Sequence, residues 1–506
     1  MAVARSARRA IRLTTVAAVW LWGRQIGAVS LEDGSDIARF QYHPDFARSG
    51  IQVSPLVMPL RPEPYAFPSL SLPTFRGLPG LLADSLPDRF GHRVIDAWLE
   101  AQGRAPESFN AVERLCYVGA RGMGALEFSP ALGPRASRSE RLQVDALVAL
   151  ASEILTSRGD LAVSNSEPTR SHAVQALLLV GSSAGGARAK AVIAYNPTTH
   201  EVRSGQVATD PGFEHWILKF DGVSGSQSRD LTDSQPYCAI EFAYARMAAA
   251  AGIRMSECQL LEEGGRRHFI TRRFDRQGAN GKIHMQSLAA LGHYDFNQPD
   301  VYSYEQAFAA IRHLGLGQEA VEQQFRRMVF NVLARNQDDH VKNIAFLMHR
   351  DGRWELAPAF DLTYSYNPSS PWTRRHQMSV NGKRDGFTRE DFRSCGRTVS
   401  LPRGRADRIL DSVAEAVAEW RRFAALGGLD DELAERIGTT HRLDLTTPRT
   451  LPRPVIERAQ GAAVPALGER DPRKDGGGGG PSGSAPPHGR RGSRPPLSRR
   501  TGPGTR

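Results

Sequence analysis

A polar eight-residue segment between two regularly patterned apolar stretches constrains this chain more than any other feature. The segment spans residues 336–343 and reads NQDDHVKN. Apolar residues precede it on one helical face from Val321 to Leu333. Two strand-like runs follow it and flank Asp351-Gly352, a hairpin signal, and Asp361 comes after the hairpin. The order of helix, polar loop, hairpin and aspartate predicts a mixed α+β fold.

Three polar residues of this region have the spacing of a phosphoryl-transfer site. Asn343 lies five residues after Asp338, and Asp361 lies eighteen residues after Asn343. Transfer from ATP needs one carboxylate to accept the hydroxyl proton, while an amide oxygen and a second carboxylate hold Mg²⁺. Protein kinases place such residues on a catalytic loop and after a short hairpin. The alternative is that Asp338-Asp339 is a solvated turn and Asp361 a cap, but the combined spacing favours the kinase interpretation.

A glycine-rich segment lies upstream, at residues 181–190, and reads GSSAGGARAK. It separates two strand-like runs, 173–180 and 191–195. Small residues allow backbone N–H groups to approach phosphate oxygens closely. The segment is not a Walker loop, because Ala187 stands where that motif requires lysine. A glycine-containing turn between two strands usually has no role in binding. This one lies at the head of the domain, where the glycine-rich loop of a kinase covers the triphosphate.

Lysine and glutamate candidates follow in the order that a kinase requires. Lys219 ends the strand-like run Trp216–Leu218, and Glu241 lies on the predicted helix Tyr237–Ala251. In kinases this pair steers the α- and β-phosphates. Each residue could instead be an ordinary charged side chain, and the order of the motifs favours the functional interpretation. Phe274, in a predicted strand between two lobes, is a candidate to pack on adenine or, equally, a core residue.

Composition limits the class of protein. Hydrophobic residues make up 40% of the 506 residues, so the chain can bury a large core. No apolar run is long enough to cross a bilayer. Four widely separated cysteines show no ligand spacing, which indicates neither a zinc site nor a disulfide framework and fits a reducing compartment. We therefore expect a cytoplasmic protein without a membrane span.

The two ends of the chain need separate interpretation. Arginines before Val16–Trp22 resemble a signal peptide weakly, but the short run and the following glycines favour a strand and hairpin turn. Downstream, Ser85–Arg89 is interpreted as a helix end. Residues 451–506 hold 11 Lys+Arg, 4 Asp+Glu, 10 Pro and 12 Gly, so they carry +7 of the net charge of +11. We predict that this tail is disordered and could bind polyanions without specificity.

Taken together, these motifs resemble the HipA family of serine/threonine kinases, the toxins of type II toxin–antitoxin pairs. The pairing of a DDHxKN loop with APxxDL carries most of the resemblance, and Val118–Ala125 resembles the end of the family's N-terminal subdomain. The resemblance implies a two-lobed, kinase-like α+β fold with an N-terminal β-containing subdomain. The expected divisions are that subdomain (15–130), a helix and linker (131–171), a β-rich nucleotide lobe (172–275), a helical lobe (276–440) and the tail (441–506).

The resemblance also implies roles for individual residues. Asp338 would accept the proton, and Asn343 and Asp361 would bind Mg²⁺. The phosphate-holding residues would be Gly185, Gly186, Ala187, Arg188, Ala189, Lys190 and Lys219, with Glu241 as the partner of Lys219. The remaining ATP-binding residues would be Arg272 and Phe274 at the adenine, together with His340, Lys342 and Phe360. Ser183 aligns with a serine that some relatives autophosphorylate, and the adjacent Ser182 leaves that assignment open.

Partners follow from the family as well. The resemblance implies a separately encoded, HipB-like DNA-binding antitoxin, indirect DNA contact through that complex, and a protein substrate. A few relatives act on a translation factor, glutamyl-tRNA synthetase, and the motifs here do not specify the substrate. A second hypothesis is a catalytically silent scaffold that acts as corepressor with the antitoxin. A metal-dependent hydrolase ranks last, because no second histidine lies within reach of a motif.

Overall fold

The computed structural model describes residues 14–133, 141–156, 177, 181, 188–206, 210–223, 236–278 and 281–445. Strands and helices both occur along these ranges, so the predicted α+β class is confirmed. The strands are β1 Val16–Leu21, β2 Arg24–Ser30, β3 Arg39–Tyr42, β4 Leu126–Ser129, β5 Lys190–Tyr195, β6 Val202–Ser204, β7 Glu214–Lys219, β8 Cys258–Glu263, β9 Arg266–Arg272, β10 Arg276–Gln277, β11 Gly281–Lys282, β12 His284–Ser287, β13 Ala345–Met348 and β14 Trp354–Leu356.

Helices fill most of the remaining described chain. They are α1 Pro44–Ala47, α2 Leu72–Phe75, α3 Gly80–Ala83, α4 Arg89–Ala101, α5 Ala111–Val118, α6 Val144–Thr156, α7 Tyr237–Ala250, α8 Leu288–Gly292, α9 Tyr304–His313, α10 Gln318–Leu333, α11 Arg389–Thr398, α12 Arg405–Ala418, α13 Trp420–Leu426 and α14 Asp431–Gly438. Short 3₁₀ helices cover Pro106–Ser108 and Val341–Asn343. Within these ranges no helix has the length and apolar character that a bilayer crossing requires.

The N-terminal region is built on a four-stranded antiparallel sheet in the order β3-β2-β1-β4. The predicted strand and hairpin turn at its start are confirmed. Trp22 and Gly23 connect β1 to β2, and both have positive φ, 51° and 80°. Two central residues with positive φ are the signature of the turn that matches the twist of a hairpin. The apolar run that begins at Val16 therefore forms the first strand of a sheet.

The predicted helix end at Ser85–Arg89 is wrong. Helix α3 has already ended at Ala83, and α4 begins at Arg89. Asp88 is the N-cap of α4, because its carboxylate accepts a hydrogen bond from the backbone N–H of Gly91 at 2.7 Å. An aspartate in extended conformation with this bond satisfies one of the free amides of a helix start.

A five-stranded antiparallel sheet in the order β6-β5-β7-β9-β8 forms the middle of the molecule. Helices α4 and α6 cover it with apolar side chains, among them Phe90 and Leu147, which share a core with Ile193 and Trp216 of the sheet. Of the strand predicted at 173–180 only Leu177 is described, and it is helical and buried, so the strand prediction is wrong at that residue. The strand predicted at 191–195 is confirmed as β5.

The C-terminal part is mostly helical and surrounds a small sheet in the order β12-β13-β14. The predicted amphipathic helix is α10, which buries residues such as Phe325 and Val329. The predicted hairpin is β13–β14, in which Phe346 pairs with Leu356. One apolar core runs from the N-terminal sheet to these helices. The proposed domain boundaries stay a prediction, and the tail from residue 446 lies outside the described residues.

Candidate functional site

A cavity of about 970 Å³ brings together segments that lie between Pro73 and Gln377 in the sequence. Its walls come from the five-stranded sheet, from α7, from the polar segment 336–343 and from the N-terminal region. The predicted site residues that line it are Arg188, Lys190, Lys219, Glu241, Arg272, Phe274, Asp338, His340, Lys342, Asn343, Phe360 and Asp361. Ala189 is buried directly before β5. Gly185, Gly186 and Ala187 lie outside the described residues, as do Ser182 and Ser183.

Lys219 is the electrostatic centre of this cavity. Its ammonium group donates to Glu241 Oε1 at 2.5 Å and is also bonded to Asp361 Oδ1. These partners lie 22 and 142 residues away in the sequence, on α7 and after β14. Lys219 and Glu241 are both buried. The fold therefore brings together Lys219, Glu241 and Asp361, which were predicted to act in one site because of the order of their motifs along the chain.

Charges on these groups stabilise one another. Burial on its own would lower the pKa of the Lys219 ammonium, but Asp361 and Glu241 raise it above its usual value. Burial would likewise raise the pKa of Asp361, yet Lys219 and then Lys190 hold that pKa below its usual range. Lys219 and Asp361 are therefore both charged at neutral pH. A cluster of this kind offers fixed positive and negative charge to a polyanion and its counterion.

Asp361 itself has an unusual backbone. Its φ is 54°, in the left-handed region, where few residues other than glycine occur and where aspartate is enriched. Such conformations persist where the surrounding structure fixes them, and they cluster at functional sites. Phe360, directly before it, lies beside Phe274 with ring centroids 5.7 Å apart. The two rings form an apolar wall next to the charged cluster.

The polar segment turns sharply at the end of α10. Arg335 adopts φ 58°, and the chain then runs through Asp338 to the 3₁₀ helix Val341–Asn343. The amide nitrogen of Asn343 donates to the backbone carbonyl of Asp338 at 3.0 Å. This bond closes the loop, and it leaves the amide oxygen of Asn343 as the atom suited to a cation. The carboxylate of Asp338 is 49% exposed, so it can reach a group in the cavity.

The sequence did not predict the role of Gln377, whose side chain holds the carboxylate of Asp338. Gln377 Nε2 donates to Asp338 Oδ1 at 2.6 Å, and the backbone N–H of Gln377 donates to Asp339 Oδ1 at 2.8 Å. Asp339 is buried and also binds Tyr304 and His376, each at 2.8 Å. Gln377 lies 39 residues after Asp338, and no spacing or motif in the sequence connects the two.

The other predicted residues form the rims of the cavity. His340 Nε2 lies 3.8 Å from Asp338 Oδ1, and the ammonium of Lys342 lies 4.6 Å from the ring centre of Phe296. Arg188 is 3.9 Å from Glu241. Arg272 is about half exposed and forms ion pairs with Glu214 at 2.9 Å and Glu257 at 3.7 Å. Arg272 therefore shares the cavity wall with Phe274 but points partly into solvent.

The oxygen donors of the cavity limit the kind of divalent cation that it can hold. Across the ranges given above, no group of three or more His, Cys, Asp and Glu side chains could hold a metal ion. Asp361 and Asn343 offer one carboxylate and one amide oxygen. Mg²⁺ is commonly held by one or two protein oxygens together with water and substrate phosphates. The residues fit a cation that arrives with a nucleotide, and they do not fit a stand-alone metal centre.

Comparisons with known proteins agree on one family. The model of the HipA N-terminal domain matches residues 17–129, and that of the HipA-like C-terminal domain matches residues 182–420. A search of curated proteins found no significant match. Among solved structures, HipA of Shewanella oneidensis MR-1, determined as a toxin–antitoxin complex with HipB and operator DNA, superposes with a TM-score of 0.58 at 18% identity. That superposition covers 84% of this chain and 95% of the other.

A second solved structure overlaps only weakly. The Helicobacter pylori proinflammatory kinase CtkA has a TM-score of 0.30 at 13% identity, over 46% of this chain and 89% of its own. The Shewanella structure shows a shared fold across most of both chains. With both family models matched in order along the sequence, the chain belongs to the HipA family.

Proposed function

We propose that this protein is an ATP- and Mg²⁺-dependent kinase that transfers the γ-phosphate to a serine or threonine of a protein. One observation carries the proposal: Lys219 bonds both Glu241 and Asp361 in the cavity that Asp338 also lines. Kinases use this combination of lysine, helix glutamate and metal-binding aspartate to hold ATP. Membership of the HipA family supports the same conclusion.

Each residue has a role that its surroundings permit. Lys219, with Arg188 and Lys190, would bind phosphate oxygens, while Phe274 and Phe360 offer an apolar surface to the base. Asn343 and Asp361 would hold Mg²⁺, which neutralises charge on the phosphates when it is bound. Asp338, half exposed and oriented by Gln377, would accept the proton of the substrate hydroxyl.

The test is transfer of label from [γ-³²P]ATP by the full-length protein. Asp338→Asn should reduce transfer by about 10³-fold or more, since a general base contributes roughly 10²–10⁴. ATP binding should change little, because Asn retains the size of the side chain and Asp338 is not among the residues proposed to hold the nucleotide or Mg²⁺. Asp351→Asn, an exposed aspartate in the β13–β14 turn, is the control and should be fully active. Transfer that survives in Asp338→Asn would refute this mechanism.

We also propose a HipB-like partner and a regulatory loop. The Shewanella HipA was determined with HipB and operator DNA, and the shared fold supports a similar partner here. Phosphorylation at Ser182 or Ser183 would add negative charge just before the predicted phosphate-binding segment 185–190 in the sequence, and we expect it to oppose ATP binding. Mass spectrometry of the protein after incubation with MgATP tests this: phosphate on one of the two serines is expected, and its absence in transfer-active protein would contradict autophosphorylation there.

A further inference from the structure

Among the side chains that the N-terminal region contributes to the cavity, Asp88 forms an ion pair with a lysine of the five-stranded sheet. Asp88 and Lys190 both line it, and their side chains are only 4% and 3% exposed. Asp88 Oδ2 lies 3.6 Å from Lys190 Nζ, an ion-pair distance. The other oxygen of Asp88 is occupied by the N–H of Gly91 at the start of α4. The carboxylate is therefore fixed at a helix start while it faces the lysine.

Lys190 has a particular need for a fixed partner. In the register of β5 and β7, Lys190 lies directly opposite Lys219. Like charges directly opposite one another in an antiparallel pair repel. Lys219 is compensated by Glu241 and Asp361, and Asp88 provides negative charge on the Lys190 side. The two neighbouring lysines are thus compensated by carboxylates from different parts of the chain, and Asp88 lies at ion-pair distance from Lys190.

We propose that Asp88 is a positioning residue of the nucleotide site, which holds Lys190 in place to bind phosphate oxygens of ATP. The proposal rests on the function proposed above. It assigns to the N-terminal region a part in nucleotide binding that acts through Lys190, comparable to the part that Glu241 plays for Lys219. Without Asp88, the ammonium of Lys190 would lose the buried carboxylate that it faces at 3.6 Å beside Lys219.

The protonation state of Asp88 offers a second way to test this role. Burial raises the pKa of Asp88 to about 6, against the opposing effect of Lys190. The groups that face it are the Lys190 ammonium, the Gly91 N–H and, further away, Lys342. Above pH 6 the carboxylate is charged and holds Lys190, and below pH 6 it is neutral and releases it.

The experiment is isothermal titration of full-length wild type and Asp88→Asn with MgATP and, separately, with adenosine. Asparagine keeps the N-cap and removes the charge. We expect the Kd for MgATP to rise about tenfold, as is typical when a partner that orients a binding group is lost, and the Kd for adenosine to stay unchanged. The ratio of the Kd for MgATP of the variant to that of wild type should fall toward one as the pH is lowered from 8 to 5.

Two further variants secure the interpretation. Asp88→Ser also caps a helix but is too short to reach Lys190, so it should behave as Asp88→Asn does. Asp430→Asn removes the charge of another N-cap aspartate, which binds the N–H of Leu433 at 2.7 Å away from the cavity, and should bind as wild type does. Equal MgATP affinity in wild type and Asp88→Asn, or equal weakening for adenosine, would overturn the proposal. Wild type that binds neither ligand would instead refute the proposed function.

Discussion

At the scale of single residues, the site depends on several residues that could be predicted from the sequence and on one, Gln377, that could not. Asp338, Asn343 and Asp361 could be predicted because their spacing is a property of the chain. Their electrostatic partner Lys219 could be predicted from motif order. Gln377 could not, because its contact with Asp338 depends on the path of a long connection after β14, which no local pattern encodes.

Gln377 provides the first prediction. Gln377→Leu removes the bond to Asp338 Oδ1 but keeps the backbone bond to Asp339, so the loop should stay in place. We expect kcat for phosphate transfer to fall about tenfold, as for other lost orienting bonds, with little change in KM for ATP. Steady-state kinetics measure this split.

The control for this prediction is Gln102→Leu, a change at an exposed glutamine at the end of α4. It should leave both constants as in wild type. A rise in KM for ATP without a fall in kcat in Gln377→Leu would contradict an orienting role toward Asp338, because it would place Gln377 at the nucleotide instead.

At the scale of elements, one buried ionic cluster connects β9 and β10 to the loop before β4. Asp275 accepts bonds from Arg273 at 2.7 and 2.9 Å, from Arg276 at 2.8 Å, and from the N–H of Gly124 at 2.6 Å. Arg276 also donates to the carbonyl of Gly122 at 3.0 Å. Part of the segment predicted to contact adenine thus fixes the N-terminal region.

Asp275 provides the second prediction. Burial alone would raise its pKa, but Arg273 and Arg276 hold that pKa below its usual range. Asp275→Asn leaves these arginines buried without compensation, so the free energy of unfolding at pH 7 should fall by about 3–5 kcal/mol. Urea denaturation over a pH series measures it.

The pH dependence has a definite sign. Because the pKa of Asp275 is depressed in the folded state, its stabilisation is complete above the unfolded pKa of about 4 and is lost as the pH falls below it. The difference from wild type should therefore shrink below about pH 4. Asp145→Asn is the control: its ion pair with Arg266 is about half exposed and should contribute about 1 kcal/mol or less. Equal effects at Asp145 and Asp275 would contradict the ionic-cluster argument.

Other elements show where sequence patterns suffice. The β13–β14 hairpin and α10 were predictable because their periodicity and turn residues are local. The start of α4 was not, because an aspartate after a proline can end one helix or begin another. The bond from Gly91 to Asp88, together with the packing of α4 against the sheet core, decides between the two.

At the scale of the whole molecule, the α+β class followed from the order of patterned segments, and the shared core did not. That core includes Val19 and Phe40 of the N-terminal sheet together with Phe330 and Trp420 of the C-terminal helices. Contacts between residues hundreds of positions apart leave no periodicity in the sequence. The N-terminal region is therefore packed into the same apolar core as the helices that support the site.

The tail provides the third prediction. Residues 451–506 are rich in Gly, Pro and Arg, and from this composition we predict that they add nothing to the stability of the folded core. A protein that ends at Arg449 should melt at the same temperature as the full chain, within about 1 °C. It should elute from heparin at lower salt, because the tail carries +7 of the net charge. Elution at an unchanged salt concentration would contradict a role of the tail in binding polyanions. A lower melting temperature would contradict the prediction that the tail does not stabilise the fold.

The most direct test of the central claim is a crystal structure of the full-length protein with MgCl₂ and a non-hydrolysable ATP analogue. We predict triphosphate density against Lys219 and Lys190, a cation on Asn343 and Asp361, and the Asp338 carboxylate facing the terminal phosphate. Analogue bound elsewhere, or a cavity that stays empty at saturating analogue, would contradict the account.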